Sequence, residues 1–118
     1  EPAQPPLAML LAQVLVAQHR LDEALHALDV HGLNDADAEG LRGGILAQSG
    51  RHAEALRAYE AAARQQPGNP KWWFGLGVTL ESMDQPGTAR QAYQRALAIG
   101  LPRTDLAQYA EQRLRSLP

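Results

Sequence analysis

Residues 70–96 read PKWWFGLGVTLESMDQPGTARQAYQRA and contain two segments rich in Ala, Gly and Leu on either side of Gln85-Pro86. Asn69-Pro70 is a typical helix start, because Asn caps free backbone N–H groups and Pro tolerates the first helical position. Gln85-Pro86 repeats the proline placement with a poorer cap. The stretch therefore predicts two consecutive helices joined by a short turn.

Parts of this pattern occur elsewhere in the chain. Three pairs of matching residues are each separated by 34 positions: Ala55 and Ala89, Tyr59 and Tyr93, Ala62 and Ala96. The pattern Arg-x-x-Glu-Ala-Leu also occurs twice, at residues 20–25 and 51–56. Several coincidences at one fixed spacing indicate an internal repeat.

The 34-residue unit resembles the tetratricopeptide repeat (TPR), a helix-turn-helix that stacks into a superhelix. The family pattern places Trp-x-x-Leu-Gly-x-x-Tyr on the first helix, then Ala, an aromatic residue, Ala and Pro on the second. The copy at 70–103 matches it best, with Leu80 in place of Tyr and a late Pro102. The copy at 36–69 matches well, and the copy at about 5–35 is degenerate.

The resemblance implies an all-α, TPR-type helical solenoid of about three repeats over residues 6–103. A capping helix at 104–118 follows, which Thr104 would cap and whose apolar stripe would cover the last repeat. Residues 1–5 have the composition of a Pro-rich linker remnant. Asn34 or Asp35 is expected to cap the third helix, and Gly50 and Gly100 to end helices. Seven helices are predicted, near 6–18, 21–30, 35–49, 52–66, 70–83, 86–99 and 104–117.

Composition excludes several functional classes. The formal net charge of −2 offers nucleic acid no electrostatic attraction. Residues 1–50 contain two arginines and seven acidic residues, so their net charge is −5 and the remainder carries +3. Such a gradient is compatible with steering a partner or with an ordinary solvated surface. No apolar run reaches the ~20 residues of a membrane-spanning helix, so we expect no direct membrane insertion.

Catalytic and metal sites are not predicted. The chain has no Cys and one Lys, and no Ser stands in a Gly-x-Ser-x-Gly turn. The four His residues lack metal-ligand spacing. Residues 35–40 resemble the start of a calcium loop, but Leu46 stands where a bidentate Glu is required. Gly75-Leu76-Gly77 lacks the third glycine of a dinucleotide site. We therefore expect neither an enzyme nor a cofactor.

The TPR resemblance implies that the first helix of each repeat lines a concave groove for a protein or peptide. The positions expected to point inward are Met9, Gln13, Val16, Asp37, Gly40, Gly44, Gln48, Lys71, Phe74, Val78 and Glu81. Gly40 and Gly44 either form a floor that admits a peptide closely or relax a weak repeat. Val78 and Gly44 replace the asparagines of the family's carboxylate clamp, so chaperone-tail recognition is not expected. Trp72 is expected to pack rather than to serve as an exposed anchor.

A narrower resemblance concerns residues 69–78, NPKWWFGLGV, together with AIGLP at 98–102 and Arg113-Leu114. These residues resemble the C-terminal region of MSHA-type pilus biogenesis TPR proteins. The resemblance implies a periplasmic domain of a membrane-anchored adaptor that binds a partner subunit of a type IV pilus or secretion-like machinery; otherwise the domain is expected to be cytoplasmic. Two alternatives remain open: a self-associating structural module, with a possible homodimer, and a TPR module of polysaccharide export or cytochrome maturation.

Overall fold

A computed structural model describes residues 6–118, so the predicted linker at residues 1–5 lies outside the described part. Within that part the secondary structure is entirely helical, and the all-α solenoid prediction is confirmed. The seven helices begin and end within about two residues of the predicted positions. They are α1 (Leu7–Ala17), α2 (Leu21–Val30), α3 (Ala36–Gln48), α4 (His52–Gln65), α5 (Pro70–Ser82), α6 (Pro86–Ile99) and α7 (Thr104–Ser116).

The helices form three consecutive pairs, α1 with α2, α3 with α4 and α5 with α6. The first helices of neighbouring pairs also contact one another, α1 with α3 and α3 with α5. Helices α3, α5 and α7 begin at residues 36, 70 and 104, which is one 34-residue step each time. Helix α7 therefore occupies the place of a first helix in a fourth repeat, whereas the sequence pattern had left it outside any repeat.

The turn inside each pair has the same geometry three times. His19, Gly50 and Asp84 each adopt a positive φ, of 59°, 78° and 59°. The next residue in each turn donates its N–H to a carbonyl five residues earlier: Arg20 to Leu15 at 2.8 Å, Arg51 to Leu46 at 2.9 Å and Gln85 to Leu80 at 3.0 Å. These are Schellman-type helix ends, which satisfy carbonyls that the helix itself leaves free. The two glycines that were predicted to end helices, Gly50 and Gly100, both adopt a positive φ at a helix end.

Two of the predicted helix-capping residues do cap their helices, and a third does not. The Asp35 carboxylate accepts the N–H of Ala38 at 3.0 Å, and the Asn69 side chain accepts the N–H of Lys71 at 3.0 Å. The expectation that Thr104 caps α7 is wrong. Thr104 is already the first helical residue, and Arg103 stands at the cap position without a side-chain capping bond.

Tyrosine rings fill the spaces that glycines leave between first and second helices. A Cβ added to Gly43 would lie 2.9 Å from the Tyr59 ring, and one added to Gly77 would lie 2.8 Å from the Tyr93 ring. Tyr59 also lies against Gly75 of the next repeat, where a Cβ would overlap its ring. Since real Cβ contacts are longer than this, the close helix approach depends on glycine at these positions.

Candidate partner-binding groove

An open groove lies on the side of the solenoid formed by α1, α3 and α5. Its volume is about 750 Å³. We call it the inner groove, and it is lined by Pro6, Met9, Gln13, Leu33, Asp35, Asp37, Gly40, Leu41, Lys71 and Trp72. Five of the eleven predicted groove residues meet here, namely Met9, Gln13, Asp37, Gly40 and Lys71.

The floor of the inner groove is made by Trp72 and Gly40. Only 7% of Trp72 is exposed, and its indole Nε1–H donates to Oε1 of Gln66 at 3.0 Å. A Cβ on Gly40 would overlap the six-membered part of the indole ring. The space above Gly40 is thus filled by Trp72, and a ligand in the groove would meet the tryptophan instead of bare backbone. The expectation that Trp72 packs is confirmed.

The walls of the inner groove combine apolar and acidic groups. Met9, Leu33 and Leu41 supply apolar surface. Asp35 and Asp37 are exposed, and within residues 6–118 neither forms an ion pair with a basic side chain. Lys71 lies with its Nζ 5.1 Å from the centre of the Trp72 ring, which is a cation–π distance. The groove therefore presents two carboxylates and one lysine around an apolar floor.

Three other predicted groove residues lie outside this lining. Val16 is half-buried against the core of the first two repeats. Gly44 is half-buried, and a Cβ there would lie 3.4 Å from the Tyr59 hydroxyl. Gln48 is exposed at the end of α3. These residues share the first helices with the inner groove but do not line its cavity.

Phe74, Val78 and Glu81, the remaining predicted positions, pack toward α7. The Phe74 ring makes edge contacts with Tyr93 at 6.0 Å and Tyr109 at 5.8 Å between ring centres. Val78 belongs to the same apolar cluster, whose fully buried centre includes Tyr93 and Ala110. Helix α7 lies beside these side chains, as expected from its position as a further first helix.

Glu81 is held by two partners in this region. Its Oε1 accepts the Tyr93 hydroxyl at 3.0 Å and the Arg113 Nε–H at 3.1 Å, and its other oxygen pairs with the same guanidinium. The hydrogen bond to Glu81 raises the pKa of Arg113. Burial, followed by the bond to Glu81, raises the pKa of Tyr93 well above its usual value. Glu81 thus joins α5, α6 and α7 through its carboxylate.

Sequence reasoning missed five residues of the inner groove: Pro6, Leu33, Asp35, Leu41 and Trp72. Asp35 was assigned only a capping role, and Leu33 belongs to the turn before α3. Positions counted along first helices do not include such turn residues, because their placement depends on how the neighbouring repeat stacks. The Asp-x-Asp spacing of residues 35 and 37 was the one available signal.

A second groove lies on the other side of α5, between α4 and α6, with a volume of about 810 Å³. We call it the outer groove. Trp73, Leu76 and Leu80 lie along it, and Arg95 places its guanidinium 4.9 Å from the centre of the Trp73 ring. The Trp73 Nε1–H donates to the carbonyl of Pro67 at 2.8 Å. The adjacent tryptophans therefore belong to different surfaces, Trp72 to the inner groove and Trp73 to the outer one.

Potential metal ligands are not clustered in the described part of the chain. Residues 6–118 contain no group of three His, Cys, Asp or Glu side chains able to hold a metal ion. The one buried side-chain polar atom without a partner in that range is Nδ1 of His52. No helix in that range combines the length and apolar composition needed to cross a membrane.

Family models match almost the whole chain. A "Tetratricopeptide repeat" model matches residues 41–103, and a "Tetratricopeptide repeat-like domain" model matches residues 3–71. The chain belongs to the tetratricopeptide repeat family. A search of curated protein sequences gave no match.

Solved structures of several TPR proteins share the fold. The type III secretion chaperone SycD of Yersinia enterocolitica, in complex with a peptide of the translocator YopD, is 15% identical with a TM-score of 0.86; the match covers 93% of this chain and 88% of SycD. The Sgt2 TPR domain of Aspergillus fumigatus is 20% identical with a TM-score of 0.80, over 97% of this chain and 81% of Sgt2. YrrB, described as a TPR protein with an unusual peptide-binding site, is 28% identical with a TM-score of 0.76, over 90% of this chain and 56% of YrrB.

Proposed function

We propose that this chain is a non-catalytic interaction module that holds a short segment of another protein in the inner groove. The observation that carries the proposal is the open cavity between α1, α3 and α5, whose floor is a buried, hydrogen-bonded tryptophan. Small concave sites with an apolar floor and a few polar groups are typical binding sites. The peptide bound to SycD and the peptide-binding site of YrrB support this use of the fold.

The chemistry of the groove favours a segment with one or two apolar side chains beside a cationic one. Apolar side chains would pack against Met9, Leu33 and Leu41, whereas a Lys or Arg would approach Asp35 and Asp37. Because the two carboxylates are exposed, their attraction is screened by salt. Binding should therefore weaken as ionic strength rises, with the apolar contacts providing the part that persists.

We propose a bacterial envelope setting, in which the partner is a subunit of a type IV pilus or secretion-like machinery. The support is the resemblance of residues 69–78 and 98–102 to MSHA-type pilus biogenesis proteins. The secretion chaperone SycD shares the fold. In this setting the domain would be periplasmic and attached to a membrane-anchored protein.

The test begins with peptides selected from a random dodecapeptide phage library against the immobilised domain. Affinities of the selected peptides are then measured by fluorescence anisotropy for the parent and two variants. The groove variant is Gln13→Arg with Asp37→Arg. The matched control is Gln91→Arg with Glu60→Arg, which changes the charge equally on the outer groove. All four side chains are exposed, so both variants should fold as the parent does, which circular dichroism checks.

The groove variant should bind the peptides at least about tenfold more weakly, since it removes a carboxylate and adds two cations to the wall. The control should bind as the parent does. Loss of binding in the control alone would place the site in the outer groove. Equal binding by all three proteins would contradict the inner groove as the site. Capture of a pilus or secretion subunit from envelope extracts, with the same variant and control, tests the proposed setting separately.

A further inference from the structure

Helix α1 carries an unusual exposed surface. Four of its large apolar side chains are exposed, and Leu7 is 83% accessible to solvent. Positions 7, 10, 11 and 14 fall on one stripe of a helix with 3.6 residues per turn. Val30 at the end of α2 is exposed as well. We call the four side chains of α1 the α1 face: Leu7, Leu10, Leu11 and Val14.

The α1 face differs from the opposite end of the solenoid. Helix α7 exposes Glu111, Gln112 and Arg115, so its outer side is polar as expected of a solenoid cap. By contrast, α1 has no ionisable residue between Leu7 and Ala17. Its polar Gln13 lines the inner groove instead of the exposed stripe. The α1 face thus has the composition of a surface that another apolar surface covers.

We propose that the α1 face is a dimerisation surface whose occupant is a second copy of this chain. The stripe itself carries no charge, so it can pair with its own copy about a two-fold axis without placing like charges at the centre of the interface. Antiparallel pairing also sets the positive end of one α1 dipole beside the negative end of the other. In this arrangement Leu7 of one copy lies opposite Val14 of the second, and Leu10 and Leu11 meet near the axis.

Two other occupants fit less well. Residues 1–5, EPAQP, contain no large apolar side chain, so this segment cannot bury the α1 face. Helices that lie on lipid usually carry Lys or Arg beside their apolar face. Here α1 has no cation, and Asp22, Glu23 and Asp29 of the neighbouring α2 are exposed and would be repelled by anionic lipid.

The interface would be small, because Leu7 and Val14 are only about 10 Å apart along the helix axis. A stable interface buries about 800 Å² from each partner, so one short helix face supports reversible association at micromolar concentrations or above. The inner groove would stay open in the dimer, since Met9 and Gln13 face it rather than the stripe. Two grooves in one particle would bind a repetitive partner with increased avidity.

The experiment is sedimentation equilibrium of the parent chain, loaded from about 5 to 500 µM, a range chosen around the micromolar affinity expected of so small an interface. The parent should pass from the 12.8 kDa monomer toward twice that mass. Leu7→Glu with Val14→Glu should remain monomeric, since four carboxylates would face one another. The variant Leu7→Lys with Val14→Lys, measured by itself, should also remain monomeric, because four ammonium groups would face one another. A mixture of the two variants should associate again, because each Glu then lies opposite a Lys. Ile99→Glu, an exposed apolar position at the end of α6, is the matched control and should dimerise as the parent does.

A constant monomer mass for the parent over the whole range would overturn the proposal. Dimerisation that the double Glu variant leaves intact would overturn the assignment to the α1 face. The same holds if the mixture of variants stays monomeric. A parent that remains monomeric but co-sediments with vesicles of phosphatidylethanolamine and phosphatidylglycerol would show that lipid is the occupant. None of these outcomes depends on peptide binding in the inner groove, so the two proposals fail independently.

Discussion

The indole ring of Trp72 lies directly over Gly40, in the space that a side chain would otherwise fill. This contact joins α5 to α3 and makes the floor of the inner groove. It also explains why a helix interior retains a glycine at this position. The energetic cost of glycine in a helix, about 1 kcal/mol relative to alanine, is offset by the packing of a large aromatic ring.

Gly40→Ala should destabilise the protein although alanine is the better helix former. Overlap with the Trp72 ring should cost about 2–3 kcal/mol, and the helix-propensity gain is about 1 kcal/mol, so a net loss of about 1–2 kcal/mol is expected. Gly87→Ala in α6 is the matched control, because a Cβ there meets nothing within 4 Å. It should leave stability unchanged or raise it. Urea unfolding of both variants measures the difference, and an equal stabilisation of both would contradict the packing of Trp72 on Gly40.

Replacement of the turn residue Asp84 by glycine should raise the stability of the protein. Asp84 adopts φ 59°, at the turn position where the preceding repeat has Gly50 at φ 78°. Relief of the left-handed conformation is worth about 1–2 kcal/mol, and the added freedom of glycine in the unfolded chain costs about 0.5–1 kcal/mol. Asp84→Gly should therefore stabilise by roughly 0.5–1 kcal/mol. Gly50→Asp should have the opposite sign. Thermal unfolding tests the pair, and a destabilised Asp84→Gly would be inconsistent with this explanation.

The hydrogen bond from Tyr93 to Glu81 predicts a pH-dependent contribution to stability. Burial and Glu81 raise the pKa of Tyr93 in the folded state. The unfolded tyrosine, with a pKa near 10, then loses its proton first. The contribution is full below about pH 10 and falls as the pH rises above that value. Tyr93→Phe should cost about 1 kcal/mol at pH 7, through loss of the bond to Glu81.

Urea unfolding of the parent and Tyr93→Phe between pH 7 and 11 measures this contribution. The stability difference between the two proteins should shrink as the pH rises above about 10. Other alkaline groups titrate in both proteins and cancel in the difference. Burial also raises the pKa of Tyr59, so some alkaline loss should persist in the variant. A difference that stays constant to pH 11 would show that Tyr93 ionises equally in both states.

The two adjacent tryptophans should respond differently to a ligand. Trp72 lines the inner groove and is buried, whereas Trp73 is more exposed and lines the outer groove. In Trp73→Phe the emission of Trp72 should lie at shorter wavelength and resist acrylamide quenching. A selected peptide should change that emission. In Trp72→Phe the emission of Trp73 should be readily quenched and should not respond to the peptide. The reverse result would assign the peptide to the outer groove.

The architecture followed from local sequence features. The 34-residue spacing, the prolines at helix starts and the glycines at helix ends depend on backbone geometry within a few residues. For this reason α5 and α6 were predicted over almost their true lengths. The packing within a helix pair also follows a fixed sequence interval, because Gly43 contacts Tyr59 and Gly77 contacts Tyr93 at the same spacing. The error at Thr104 was local as well, because Thr104 is the first helical residue and Arg103, one residue earlier, stands at the cap position.

The groove was only partly predictable, because its composition depends on contacts between repeats. Sequence spacing selected Phe74, Val78 and Glu81, but it did not indicate that α7 packs beside them with Tyr109 and Arg113. It also left Gly40 either as an open floor or as a residue that relaxes a weak repeat, whereas Trp72, 32 positions along the chain, fills the space above it. Sequence alone therefore determined the helices and their pairing, since those depend on short-range periodicity. Only tertiary packing decided which faces stay open, since that depends on which distant side chains occupy the space between helices.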